Sequence, residues 1–238
     1  MYLVGHAIVA FLIAFVISKK FNVAVAGVSF ALVMLIASLP DVDILFQSAG
    51  ITSHKTYTHS LIISLIVVPP IIFGIAKWRR VSHPAAFIYS LAYLQHIIIG
   101  DITVGAINVL YPFGDMIVGT RIGYGTITHQ VSELLLLALV AGIVVGKSFG
   151  RKEESALFRC NITDKVAYVL LIGGLVISFA YLLYGVKVLP RLFIETNLEL
   201  ALFAMIHLSA IALVSFLALV SWQHAIYQVH QRVRGSQE

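Results

Sequence analysis

Long, nearly uncharged apolar runs alternate with short polar segments along the whole chain, at roughly 2–18, 22–39, 61–76, 84–100, 130–146, 165–186 and 200–223. A helix needs about 17 to 25 apolar residues to cross a bilayer, and continuity without period-two alternation argues against barrel strands. The pattern predicts an all-α polytopic bundle of seven transmembrane spans. Two polar connections are too long for simple hairpins: Pro40 to Ser60, and Asp101 to Thr128 with its glycines and Pro112. Long loops in a compact protein usually carry function or are disordered. No fixed-period repeat, Gly/Ser linker or low-complexity stretch divides the chain, so residues 1–238 read as one integral membrane domain.

Composition agrees with the pattern. The chain is 60% hydrophobic and 11% charged, with a mean hydropathy of +0.97, which excludes an ordinary water-soluble domain. Lys and Arg concentrate on cytoplasmic loops. With the first residue outside, the inner segments hold Lys19, Lys20, Lys77, Arg79, Arg80, Lys147, Arg151, Lys152, Arg159, Lys165, Arg232 and Arg234, and the outer ones only Lys55, Arg121, Lys187 and Arg191. Twelve against four predicts an N-outside, C-inside orientation. The net charge of +5 therefore reflects topology and gives no reason to expect nucleic acid. The first run lacks a basic segment before it and a small-residue cleavage site after it, and is expected to stay as a helix. One cysteine, Cys160, excludes a disulfide or a thiolate metal site within one chain, so any metal needs N and O ligands.

Against this background the acids and histidines stand out. His6, Asp41, Asp43, His54, His59, His96, Asp101, His129 and Glu133 all fall at the predicted outer face. Ionisable groups beside membrane spans are costly and commonly functional, and these are metal-ligand types. Pro40 disfavours α-conformation at Leu39, and in an extended stretch Asp41 and Asp43 would project to one side; a solvated helix end is the plainer alternative. His54 and His59 flank hydroxyls before the third span, where Thr58 or Ser60 would also serve as an N-cap. His96 and Asp101 are five residues apart, on different faces of a regular helix, so sharing one centre requires the helix to end or distort around Gly100. His129 and Glu133, an i, i+4 pair, lie on one face. His83, His224 and His230 fall on the inner face, and His207 lies inside the last span, a candidate for supporting a ligand.

The succession His6, Pro40-Asp41-x-Asp43, His54-x-x-x-Thr58-His59-Ser60, His96-x-x-x-x-Asp101 and Pro112 resembles the YdjM-like family of membrane-bound metal-dependent hydrolases. That family is distantly similar to zinc-dependent phospholipase C and the single-strand-specific nucleases, helical enzymes that cleave phosphate esters with a zinc cluster. The resemblance implies His6, Asp41, Asp43, His54, His59, His96 and Asp101 as metal ligands, while His129 and Glu133 resemble the His-x-x-x-Glu pair of the phospholipase-like enzymes. Members often carry Arg-Gly after the first motif histidine, where this chain has Lys55-Thr56; Lys offers a point charge where Arg offers a fork.

The expected function is a membrane-embedded hydrolase acting on a phosphoester lipid that enters from the bilayer at the outer face. Two or more ions are expected, with Zn²⁺ first and Mn²⁺ or Fe²⁺ as alternatives, and Asp43 or Asp101 as general base. A divalent-cation transporter or channel using the same cluster is the alternative; it would need polar groups continuing inward, and the inner helix halves offer almost none. The orientation is open to direct measurement. Cysteines introduced at Ala49 and Gly114 should react with an impermeant thiol reagent added outside intact cells, and native Cys160 should not. Labelling of Cys160 alone would reverse the orientation.

Overall fold

A computed structural model describes residues 2–21, 28–43, 55–120, 123, 125–149, 161–188 and 197–235. They form a helix bundle: α1 (Leu3–Lys20), α2 (Phe30–Ser38), α3 (Leu61–Ile66), α4 (Val68–Trp78), α5 (His83–Gln95), α6 (Ile102–Val104), α7 (Ile127–Phe149), α8 (Ile162–Val188) and α9 (Asn197–Gly235). A π-helical segment, His96–Asp101, joins α5 to α6. Between α6 and α7 lies a small antiparallel hairpin, β1 (Ile107–Asn108) and β2 (Ile117–Val118), with Ile107 opposite Val118. The sequence pattern leaves this region as loop, and two-residue strands are too short to show as alternation.

Six stretches are long and apolar enough to cross a membrane: Leu3–Lys20, Leu61–Trp78, His83–Val104, Ile127–Lys147, Ile162–Ala180 and Leu198–Gln223. The predicted span at 22–39 behaves differently. Its described part is helical only over Phe30–Ser38, nine residues, about 14 Å against a hydrocarbon core of about 30 Å. Ser29 starts this short helix by accepting the Leu32 N–H at 3.0 Å, a side-chain cap for an otherwise orphan donor. The Leu61–Trp78 stretch is two helices, because Pro69 and Pro70 lack the N–H that a continuous ladder requires and fit only a helix's first turn.

The core centres on α1 and α2. Helix α2 packs against α1, α5 and α8, and α1 also meets α5 and α7. Phe11, Ala14, Val33 and Ala37 are fully buried there, and small residues permit the close helix approach typical of membrane bundles. Outward faces are equally apolar: Trp78 is 78% exposed and Leu135 68%. Helices apolar on every side fit a lipid solvent. This arrangement brings the first turn of α1, the turn after α2, the start of α3, the end of α5 and the start of α7 to one end of the bundle, where the singled-out polar residues sit.

Candidate metal centre

The turn after α2 departs from the extended conformation expected at Pro40. Leu39 keeps helical angles (φ −63°, ψ −34°) and a 3₁₀ turn runs Pro40–Val42. Three residues per turn place Asp41 and Asp43 on different sides. They consequently grip opposite nitrogens of one imidazole: Asp41 Oδ1 lies 3.5 Å from His59 Nε2, and Asp43 Oδ2 lies 3.3 Å from His59 Nδ1. His59 ends a second 3₁₀ turn, Tyr57–His59, whose Thr58 carbonyl accepts the Tyr93 hydroxyl at 2.9 Å. Ser60 then caps α3 through the Ile63 N–H.

His96 and Asp101 meet because the helix distorts. At 3.6 residues per turn they would point about 140° apart; the π-helical segment restacks them, and such segments recur at functional sites. His96 Nε2 lies 3.5 Å from Asp101 Oδ2, 3.4 Å from Asp41 Oδ1 and 3.3 Å from His59 Nε2, while His59 Nε2 lies 3.3 Å from Asp101 Oδ2. With the Asp41–His59 separation of 3.5 Å these are five edges of a four-atom figure. A tetrahedral ion with N and O ligands at about 2.0–2.2 Å has ligand–ligand edges of about 3.3–3.6 Å. Asp41, His59 and His96 thus offer three atoms at the spacing of one small divalent cation, and His6, His96 and Asp101 form a second such trio that shares His96.

The surrounding bonds point the ligand lone pairs inward. His96 Nδ1–H donates to the Ala37 carbonyl at 2.7 Å, which fixes the tautomer with Nε2 facing the cluster. His59 Nδ1 faces Thr58 Oγ1 and Asp43 Oδ2, and Asp43 Oδ2 also accepts from the Thr58 hydroxyl at 2.7 Å and the Lys55 N–H at 3.0 Å. Asp43 thus supports His59 from behind. His59 and His96 are fully buried; Asp101 is 2% exposed, and its Oδ2 makes no hydrogen bond within the protein. His6 stacks on His96 with ring centroids 3.5 Å apart, and neither of its nitrogens makes a hydrogen bond. It offers a ligand atom within 4.8 Å of those of His96 and Asp101. Gly100 makes room for it, since a Cβ there would lie 2.0 Å from His6 Cε1. Gln95 holds the same turn of α1 by donating to the His6 carbonyl at 3.0 Å.

A family profile described as YdjM inner membrane protein matches residues 1–189. The chain belongs to the YdjM inner membrane protein family. The match covers every residue of the cluster, and the apolar spans agree with a membrane location. Nothing among curated proteins or solved structures matches the chain.

Two of the residues singled out in this YdjM family chain stand in a different constellation. Glu133 Oε1 accepts the backbone N–H of Tyr2 at 2.6 Å and lies 2.9 Å from His129 Nε2. His129 Nδ1 accepts the Gly125 N–H at 3.2 Å, so the proton sits on Nε2 and is donated to Glu133. In that tautomer neither nitrogen of His129 keeps a lone pair for an ion. Glu133 closes the N-terminus of α1, where a carboxylate is favoured by the helix dipole. His207 lies beside this group, its ring 5.6 Å from that of Tyr2, with Nδ1 on the Phe203 carbonyl. His54 lies outside the described residues. Lys55, by contrast, had no place among the expected ligands and reaches the cluster: Nζ bonds Asp101 Oδ1 at 2.7 Å. No pattern in the sequence signals that contact.

Charge at the cluster sets its pH behaviour. Burial works against ionisation of Asp41, yet hydrogen bonds to His59 and His96 hold its carboxyl well below the usual range. Burial also opposes a proton on His59, but Asp41, Asp43 and Asp101 outweigh it and push the imidazole up to about 9. A metal using Nε2 must displace that proton, so competition is strongest below the raised pKa. Zn²⁺ affinity, titrated against a chelator in detergent, should rise about tenfold per pH unit near neutrality and level off above about 9. A flat profile would contradict this assignment. Glu133→Ala should leave metal content unchanged and lower thermal stability by about 1–3 kcal/mol, the cost of an orphaned buried donor; loss of metal would move Glu133 into the centre.

Proposed function

We propose that this protein is a membrane-embedded metal-dependent hydrolase whose substrate is a phosphoester lipid, with Asp41, His59 and His96 as the ligands of the first ion. The observation that carries the reading is the set of 3.3–3.5 Å edges among buried carboxylate and imidazole atoms. Mixed imidazole and carboxylate ligands at this spacing suit Zn²⁺. When bound, the ion supplies Lewis acidity, lowering the pKa of a water and offsetting charge on a phosphoryl oxygen. A second ion would draw on His6, whose ring nitrogens make no hydrogen bond.

The protein's own groups divide the remaining work. Asp43, engaged by Thr58, the Lys55 N–H and His59, orients the imidazole. The general-base role expected for one of two acids then rests with Asp101. Lateral entry of a lipid is supported by the hairpin beside the site, where Phe113 is 78% and Ile117 66% exposed. The Leu61 N–H donates to the Val109 carbonyl at 3.0 Å, tying that hairpin to the end of a membrane-spanning stretch. The basic-residue asymmetry supports an outer location for this end.

Replacing Asp41 or His59 with Ala removes a ligand and leaves the other acids uncompensated. Metal content by elemental analysis and hydrolysis of a generic phosphodiester and of labelled phospholipids should fall together, activity by about a hundredfold or more, while Cys160→Ser changes neither. Loss of metal with no phosphoester hydrolysis by the wild type, together with divalent-ion flux into liposomes that depends on both residues, would replace the enzyme with a transporter.

A further inference from the structure

We infer that Lys55 is the anion-binding arm of this centre, its ammonium receiving a phosphoryl oxygen of whatever ligand approaches the bound ion. The inference rests on the metal reading above and adds a ligand-recognition group to it. Three observations carry it. The first is position: the Lys55 side chain is 29% exposed, whereas those of Asp101, Asp43, His59 and His96 are between 0 and 5% exposed. The Lys55 side chain therefore stands where a buried cluster meets the outside.

The second is preorganisation. Lys55 adopts the left-handed region (φ 65°), its N–H is held by Asp43 and its Nζ by Asp101. A long side chain fixed at both ends loses little further rotamer freedom when it meets a ligand. An ammonium carries three donors, and the bond to Asp101 uses one.

The third is charge. Asp41, Asp43 and Asp101 surround His59, and a single dication would leave the group with one excess negative charge. Lys55 cancels it. Without the ammonium an incoming phosphate would meet net repulsion in a buried setting, where unlike or like charges interact more strongly than in water.

The chemistry recognised is a phosphoryl oxyanion, whether free or on a lipid headgroup. The test uses detergent-solubilised protein loaded with Co²⁺, whose visible absorption reports ligand exchange, titrated with inorganic phosphate in one arm and a short-chain phosphatidate in the other. Lys55→Met should keep its metal and require about 10- to 100-fold more phosphate for the same spectral change, and Lys55→Arg should stay within about threefold of wild type because it retains the charge. The same dependence in both arms identifies the phosphoryl group as the feature bound; dependence for phosphatidate alone identifies the lipid as its source. Equal affinities of metal-loaded Lys55→Met and wild type in both arms, or no response of metal-loaded wild type to either ligand, would overturn the inference and leave the metal reading intact. Loss of cobalt from Lys55→Met would also overturn it, making Lys55 a residue that positions Asp101. A wild type that takes up no cobalt would overturn both.

Discussion

Carboxylates packed against imidazoles inside an apolar helix bundle are the constraint on which this structure turns. Asp43 and Asp101 are buried and Asp41 nearly so, and even after relaxation a buried ion without compensation costs several kcal/mol. A protonated His59 offsets part of that charge in the metal-free chain, and Lys55 offsets more from the rim. A divalent cation would satisfy the rest, including Asp101 Oδ2, which makes no hydrogen bond within the protein. The local departures from regular structure all serve this convergence. Helix α2 stops after nine residues so that Asp41 and Asp43 can straddle one ring, and α5 passes into a π-helical segment so that Asp101 joins His96. Gly100 lets His6 lie flat against His96.

The second buried group has a different logic. Tyr2, His129 and Glu133 tie the start of α1 to the start of α7, with both His129 nitrogens and one Glu133 oxygen already engaged. Since α1 also carries His6, this tie sets the height of that ring beside the centre. A carboxylate that closes a helix end thereby supports the candidate metal cluster through a neighbouring element.

Much of this was legible in the chain because the surroundings are so apolar. Asp41, His59, His96 and Asp101 stand out against long uncharged runs, and the five-residue spacing of His96 and Asp101 already demanded a distortion near Gly100. The extent of α2 was not legible, since an uninterrupted apolar run from 22 to 39 does not announce that Ser29 will cap a helix beginning at Phe30. Nor was the different engagement of Asp41 and Asp43: whether Pro40 opens an extended stretch or a 3₁₀ turn is decided by tertiary packing, and the two outcomes point the acids differently. An i, i+4 His–Glu pair looks the same as a ligand pair or as a helix closure, and the deciding partner, Tyr2, lies 131 residues away in sequence. Lys55 reaches Asp101 across 46 residues through a left-handed backbone that no local motif marks.

The central claim is that His59, His96 and Asp41 hold one small divalent ion. X-ray absorption at the zinc edge of the metal-loaded protein tests it most directly. The account predicts a four-coordinate N/O shell at about 2.0–2.1 Å with the outer-shell scattering of two imidazoles and no sulfur, falling to one imidazole in His96→Ala. An all-oxygen, six-coordinate shell without imidazole scattering, or a spectrum unchanged in His96→Ala, would contradict it.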